Sequence, residues 1–245
     1  MEPGLAAVLV GQRRSKPIVR VIAGLARGRP LVGPPGPQTR PTSDKVKGAL
    51  FSMIETLLVA ERPGVLSFSK AVEPGTPELW DGLIVLDLYA GTGALGIEAL
   101  SRGAKWCDFV EANPAARRTI ERNLQVTGLA DRARIIGMDV AKVVRGAARD
   151  ALHQPYDLVV MDPPYNDLSV VGVVGDLAGS ELLVPRALVS VEHARRVMLA
   201  DRYDGLVAVR ERRHGDTVLT VYRNAGSANS GVETDGDDGD LSRHV

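Results

Sequence analysis

Between Gly82 and Arg223 the apolar positions form short continuous runs, separated by longer segments in which they recur every three or four residues. The first pattern predicts buried strands and the second amphipathic helices. Strands are expected at Ile84–Leu88, in a run that ends at Asp108–Glu111, and at Arg134–Gly137, Asp157–Met161 and Leu188–Glu192. Helices are expected at Gly93–Leu100, Pro114–Thr127, Val140–Asp150 and Val170–Ala178, with Gly103 and Gly128 as C-caps of the first two. Strands alternating with helices at this spacing specify an α/β fold with a doubly wound, mostly parallel sheet. Leu206–Glu211 and Thr217–Arg223 flank Gly215-Asp216 and predict a closing antiparallel hairpin.

The pattern changes outside this region. Residues 1–17 show no periodicity and are expected to be a disordered extension. Residues 18–58 predict a small β-hairpin, Ile18 to Gly24 with Pro30 to Gly33 around Arg27-Gly28. A Pro/Gly-rich stretch follows, then a helix from Thr42 or Ser43 with Val46, Leu50, Met53 or Ile54, Leu57 and Leu58 on one face. Residues 59–81 read as an inserted loop, 82–223 as the α/β domain, and 224–245 as an acidic disordered tail.

Composition narrows the setting. A chain of 245 residues, 44% hydrophobic, can bury a substantial core. No apolar run approaches the length that spans a bilayer, and the first twenty residues lack a stretch long enough for a secretion signal, so a cytoplasmic protein is expected. Cys107 is the only cysteine, which excludes an internal disulfide and favours a buried, inert thiol. The four histidines show no ligand spacing, so no metal is expected. Glu192-His193 closes the fifth strand and suits a pocket lining and a structural role equally.

The zero net charge hides an asymmetry. Five acids and one arginine lie in 224–245, which leaves 29 Lys+Arg against 25 Asp+Glu in residues 1–223. Within 11–47 nine basic residues accompany a single acid, Asp44. Such a segment is the footprint of a nucleic-acid partner or, equally, of a solvated arm. Lys45 and Lys47 stand in the first turn of the expected helix, where the dipole disfavours cations. A neighbouring phosphate would explain that placement, and so would compensation by Asp44.

The turn after the first strand reads Asp87-Leu88-Tyr89-Ala90-Gly91-Thr92-Gly93-Ala94-Leu95-Gly96. Its glycines satisfy G-x-G-x-x-G, and Glu111 lies 20 residues after Gly91, so the bare pattern suits a dinucleotide as well as other nucleotides. Two features separate these readings. Asp87, at the strand end, would repel a pyrophosphate, yet it suits a ligand bearing an ammonium and a sulfonium. A dehydrogenase would also need a second domain, which the chain after Arg223 does not offer. The pattern D-x-x-x-G-x-G resembles the first motif of class I S-adenosylmethionine-dependent methyltransferases. That resemblance makes Asp87, Tyr89, Gly91 and Gly93 cofactor contacts, Glu111 the acceptor of both ribose hydroxyls, and Asp139 the acceptor of the adenine amine. A helix N-cap is the plain alternative for each acid.

Asp162-Pro163-Pro164-Tyr165 follows the fourth strand on the same sheet edge. A Pro-Pro pair by itself is a rigid turn. The flanking residues add chemistry. A nucleobase amine is a poor nucleophile, because its lone pair is delocalised into the ring. The Asp162 carboxylate and the Pro163 carbonyl can accept its two N–H groups, and Pro164 helps lock that carbonyl in place, so little reorganisation is needed. Tyr165 offers a ring on which an unstacked base can lie. Cys107 sits on another strand, which argues against a cysteine-adduct route.

With these residues in hand, the chain from about Arg20 to Arg223 resembles the RsmD family of bacterial 16S ribosomal RNA guanine-N2 methyltransferases. The resemblance rests on Arg20-Val21-Ile22-Ala23-Gly24, Arg27-Gly28, Thr39-Arg40-Pro41-Thr42, Asp44-Lys45-Val46-Lys47 and Leu50-Phe51. It continues through Asp87 to Gly93, Gly96, Glu98 to Ala104, Glu111, Asn123 and Asp162 to Tyr165. It implies S-adenosylmethionine as cofactor and one guanine of 16S rRNA in an assembling small subunit as substrate. It also implies a monomer that grips RNA through Arg20, Arg27, Arg40, Lys45 and Lys47. Ala23 stands where the family usually has glycine. A DNA adenine-N6 or cytosine-N4 methyltransferase would use the same centre but normally needs a target-recognition domain. A protein glutamine methyltransferase would carry Asn in place of Asp162. A non-catalytic module retaining the cofactor fold would not need an intact Asp162 to Tyr165.

Overall fold

The computed structural model describes residues 19–33, 44–61, 77–165 and 167–226. The expected extension at 1–17, Arg40, most of the inserted loop and the acidic tail beyond Gly226 lie outside them. The elements in chain order begin with β1 Val19–Arg20, β2 Pro30–Leu31, α1 Asp44–Glu61, α2 Pro77–Trp80 and β3 Ile84–Leu88. They continue with α3 Ala94–Arg102, β4 Trp106–Val110, α4 Pro114–Thr127, β5 Ala133–Ile136, α5 Val140–Lys142 and β6 Tyr156–Met161. The series closes with α6 Val170–Ala178, β7 Leu183–Ala194, β8 Arg202–Tyr203, β9 Leu206–His214 and β10 Thr217–Asn224.

Eight strands form one sheet in the order β5-β4-β3-β6-β7-β10-β9-β8. The first five run parallel, and β10, β9 and β8 are added antiparallel. Strand order reverses between β3 and β6, so the carboxyl ends of those two strands flank the crevice where doubly wound sheets bind ligands. One face of the sheet packs against α1, α2, α3, α4 and the β1–β2 hairpin, with Phe51, Trp80, Ile97 and Phe109 among its buried residues. The other face packs against α5 and α6 through Leu86, Val143, Val174 and Tyr222. Among the described residues no helix is long and apolar enough to cross a membrane.

Capping explains where reading and structure agree. Asn113 accepts from Ala115 N and Ala116 N, Pro114 occupies the first turn and Gly128 (φ 73°) ends the helix, so α4 has the expected bounds. Four expectations need correction. The inserted loop ends in α2, because Leu79 and Trp80 have a core to fill. The helix expected over Val140–Asp150 breaks: α5 widens over Val143–Ala147 and Gly146 turns to φ 93°. β7 starts five residues early, its apolar pattern masked by Pro185 and Arg186, the latter at φ 70°. The N-terminal hairpin has strands of only two residues, because Val21 to Arg29 form a turn docked on α3.

That docking is built from charge. Glu98, in α3, accepts from the backbone N–H groups of Ile22 (2.8 Å) and Ala23 (3.0 Å). It also pairs with Lys47 Nζ at 3.1 Å and with Arg102 Nε at 2.9 Å. Arg102 continues to Glu55 at 2.6 Å, and Trp80 Nε1 donates to the same oxygen of Glu55 at 3.0 Å. Ser101 Oγ accepts from Ala26 N and donates to Ala23 O. Lys47 and Glu98 are both fully buried.

Candidate active site

The carboxyl ends of β3, β4, β5 and β6 are level. Asp87 on β3 lies opposite Phe109 of β4 and Val160 of β6, so Glu111 and Asp162 each follow two residues beyond it. Asp139 follows β5. Four acids thus line one sheet edge, as the sequence order of strands requires.

Their surroundings differ. Asp87 is 1% exposed and its Oδ2 accepts from Gly96 N at 2.9 Å. Gly93, at the helix N-cap, has no side chain to offer, so Asp87 caps α3 from a distance. Among the described residues no cation pairs with it. Burial pushes its carboxyl up to about 8, helped by Asp162 and Glu111 and opposed by the Gly96 amide. Glu111 is half-buried and holds the glycine turn, accepting from Gly91 N at 2.9 Å and from Asn113 N at 2.7 Å. Asp139 is exposed and caps α5, accepting from Lys142 N at 3.2 Å. The capping alternative is therefore realised in part at Asp87 and Asp139, and it does not consume all the acceptor sites of either carboxylate.

The glycines do different work. Gly93 sits at φ 76°, a left-handed conformation that suits glycine, and a Cβ there would crowd Ile97, Phe109 and Ile120. Gly96 lets α3 lie against β4, since a Cβ would come within 2.4 Å of the Phe109 ring. A Cβ at Gly91 would meet only Tyr89 O, at 3.8 Å, so its left-handed φ of 54° rather than crowding is what favours glycine there. Tyr89 takes a left-handed φ of 61° beside this turn. Burial raises its hydroxyl pKa, and a hydrogen bond with Ser169 opposes that rise.

At the crevice Asp162 is half-buried, Pro163 buried, and Pro164 and Tyr165 exposed. Tyr165 is not a bare platform. Its hydroxyl donates to Asp216 O at 3.3 Å, and the Arg196 guanidinium lies over its ring, 5.6 Å from the centroid. This arginine was not anticipated from the sequence; its position just past the fifth parallel strand, on the ligand edge, was the available signal. His193 is turned to structure: its Nε2 meets Thr220 Oγ1 at 2.9 Å, and burial lowers its pKa. Cys107 is fully buried, which raises its thiol pKa.

The donor set suits S-adenosylmethionine. A buried carboxylate whose proton affinity is raised and whose neighbours are acids favours a cationic ligand, and the same edge would repel a pyrophosphate. Asp87 would face the charged methionine part, Glu111 the ribose hydroxyls, and Asp139 the adenine amine.

Among the cations expected on RNA, Arg20, Arg27 and Lys45 line one groove of about 430 Å³ with Asp44, and Arg20 pairs with Asp44 at 2.9 Å. Lys47 is a correction. It is fully buried, paired with Glu98 and donating to Arg20 O at 2.7 Å, so it has no exposed atom with which to reach a phosphate. Burial lowers its pKa against the opposing pull of Glu98.

A family described as conserved hypothetical protein 95 matches residues 19–223. The Bacillus subtilis protein YlbH is 31% identical over 208 residues, covering 85% of this chain and all of that relative. Ribosomal RNA small subunit methyltransferase D of Haemophilus influenzae is 31% identical and covers 71% of this chain and 78% of its own length. The solved structure of the Escherichia coli protein yhhF superposes with a TM-score of 0.63 at 27% identity, over 84% of this chain and 97% of that one. The architecture is that of the class I methyltransferases.

Proposed function

The chain belongs to the conserved hypothetical protein 95 family, the RsmD family that its motifs resemble, and from that premise we propose that it methylates the N2 amine of one guanine in 16S ribosomal RNA. The observation that carries this reading is the juxtaposition of Asp162-Pro163-Pro164-Tyr165 with the buried acid Asp87 at the point where strand order reverses. When bound, S-adenosylmethionine would supply a methyl group made electrophilic by its sulfonium, the carbon–sulfur bond breaking to leave a neutral thioether. Asp87, Glu111, Asp139 and the turn at Tyr89, Gly91 and Gly93 would hold it. The Asp162 carboxylate and the Pro163 carbonyl accept the two N–H groups of the guanine amine and localise its lone pair. As nitrogen gains the methyl it loses one proton, which Asp162 accepts and passes to solvent. Tyr165 stacks on the extruded base, and most of the acceleration comes from alignment.

Arg20, Arg27 and Lys45 are proposed to hold RNA along their shared groove, with Arg40 beside them in sequence. The substrate is proposed to be the RNA of an assembling small subunit in the cytoplasm, met by a single copy of the chain.

The test is mass-spectrometric mapping of isotopically labelled methyl groups on 16S rRNA that lacks the modification. One guanine N2 should carry the label, and Asp162→Ala should bind cofactor but transfer almost none. Label on another base, on DNA or on protein, or full activity of Asp162→Ala, would overturn the reading.

A further inference from the structure

The ligand edge of the sheet changes sign at Asp162. On one side, at or just beyond the carboxyl ends of β3, β4, β5 and β6, stand Asp87, Glu111, Asp139 and Asp162. On the other, Arg195 and Arg196 follow β7 and Arg212 and Arg213 approach the end of β9, outnumbering the acids of those segments, Glu192, Glu211 and Asp216. Thr217 pairs with both Ala194 and His214, so the β9–β10 turn reaches the same edge as the end of β7. All four arginines are exposed. Arg213 pairs with Glu211 at 3.3 Å in an exposed contact, and among the described residues no carboxylate pairs with the other three.

One carbonyl joins this half of the edge to the reaction centre. Asp216 O, in the β9–β10 turn, accepts from Arg195 N at 2.8 Å and from the Tyr165 hydroxyl at 3.3 Å. Arg196 covers the Tyr165 ring from the same loop. The basic segment after β7 is therefore fastened to the residue that ends the Asp162 to Tyr165 motif.

We propose that Arg195, Arg196 and Arg213, with Arg212 reaching the same rim from the opposite face of β9, receive the phosphates flanking the target nucleotide, and that Arg196 in addition positions Tyr165. The proposal rests on the RNA-methyltransferase reading above and adds a second RNA-binding surface to the N-terminal groove. The physical need is plain. An edge with four acids repels a polyanion, while the target base must come to the boundary of that edge. Cations just beyond the boundary offset the repulsion where the strand enters. Arginine suits this place, because a planar guanidinium can lie on an aromatic ring and still present N–H donors to a phosphate.

Unmodified 16S rRNA is the probe, with the full chain. The variant Arg195→Ala/Arg196→Ala/Arg212→Ala/Arg213→Ala should keep its melting temperature and its calorimetric affinity for S-adenosylmethionine. Its RNA affinity should fall more than tenfold at low salt, and the slope of log affinity against log salt should flatten by about two to three, as expected for three or four lost phosphate contacts. Arg196→Lys keeps the charge but not the stacked plane. It should restore RNA affinity relative to Arg196→Ala while kcat stays low, which a charge-only role would not produce. Arg145→Ala, on the α5 side and paired with Asp176, should change neither quantity. Unchanged RNA affinity and slope in the fourfold variant, with the native chain still methylating rRNA, would overturn this proposal and leave the reaction intact. The proposal also fails if the variant binds naked RNA normally and loses activity only on particles containing ribosomal protein, since that assigns the face to a protein. Absence of rRNA methylation by the native chain would instead remove the reading on which the proposal rests.

Discussion

Two buried carboxylates bear on the same helix and do opposite things. Glu98 lies within α3, and Asp87 caps its first turn through Gly96. Neither is more than 1% exposed. Glu98 is surrounded by its own answer: two backbone amides, Lys47 and Arg102. Asp87 has one amide, and the nearby charges that act on it are the acids Asp162 and Glu111. A completed cluster holds the N-terminal segment on the domain, whereas an uncompleted one leaves a place that a cationic ligand would fit. Burial alone therefore does not separate structure from function; the sign of the neighbours does.

The comparison breaks most visibly at Glu98. Glu98→Ala leaves Lys47 and Arg102 buried without their shared partner, and urea unfolding should show a loss of about 3–5 kcal/mol. A loss below about 1 kcal/mol would mean that this cluster is not what fastens the hairpin. Adding Lys47→Met should recover part of the loss, because it removes one stranded charge.

Gly24→Ala attacks the same junction through the backbone. Gly24 lies at φ 79°, and a Cβ would stand 1.8 Å from Ser101 O. The destabilisation should exceed the roughly 1–2 kcal/mol that a left-handed backbone costs by itself. An unchanged denaturation midpoint would show that the hairpin can leave α3 freely.

Asp87→Asn should behave the other way. Calorimetry should show at least a tenfold weaker affinity for S-adenosylmethionine, with no loss of stability. The folded-state pKa of Asp87 is raised, so the native state holds a proton that the unfolded chain has given up. The contribution of this group to stability is full below the unfolded value near 4 and is lost as pH rises to about 8. The asparagine variant should therefore gain on the native chain as pH rises over that window. Affinity for the cationic cofactor should climb from pH 6 to 9 in the native chain, with a proton released on binding near pH 7. A flat profile would mean that Asp87 does not charge on binding.

The smallest effects should fall on the N-terminal groove. Arg27→Ala and Lys45→Ala should change stability by less than about 0.5 kcal/mol, and each should flatten the salt dependence of rRNA binding by about one. Lys47→Met should lower stability and leave that slope alone. The reverse pattern would return Lys47 to the RNA.

Much of this is legible in the sequence. The spacing of Asp87, Gly91, Gly93 and Glu111 and the alternation of strands and helices are local patterns, and a parallel sheet brings successive strand ends together without further information. Caps made α4 readable to the residue, because Asn113, Pro114 and Gly128 act on their immediate neighbours. Gly146 and Arg186 were harder, since a single left-handed residue breaks or hides a period without changing composition. The charged positions near the N-terminus were hardest. Lys45 and Lys47 look alike in a first turn, yet one side chain is exposed and the other fully buried.

The sequence by itself therefore determined the fold class and brought the candidate cofactor residues and the Asp162 to Tyr165 tetrapeptide to one sheet edge, all of which follow from short-range spacing. Only the tertiary structure decided that Lys47 belongs to Glu98, that Tyr165 is held by Asp216 and covered by Arg196, and that the sheet edge turns from acidic to basic. Those are pairings between distant segments. Whether a charge is neutralised, exposed or left waiting depends on what packing brings beside it in a poorly screened interior, and no local pattern carries that information.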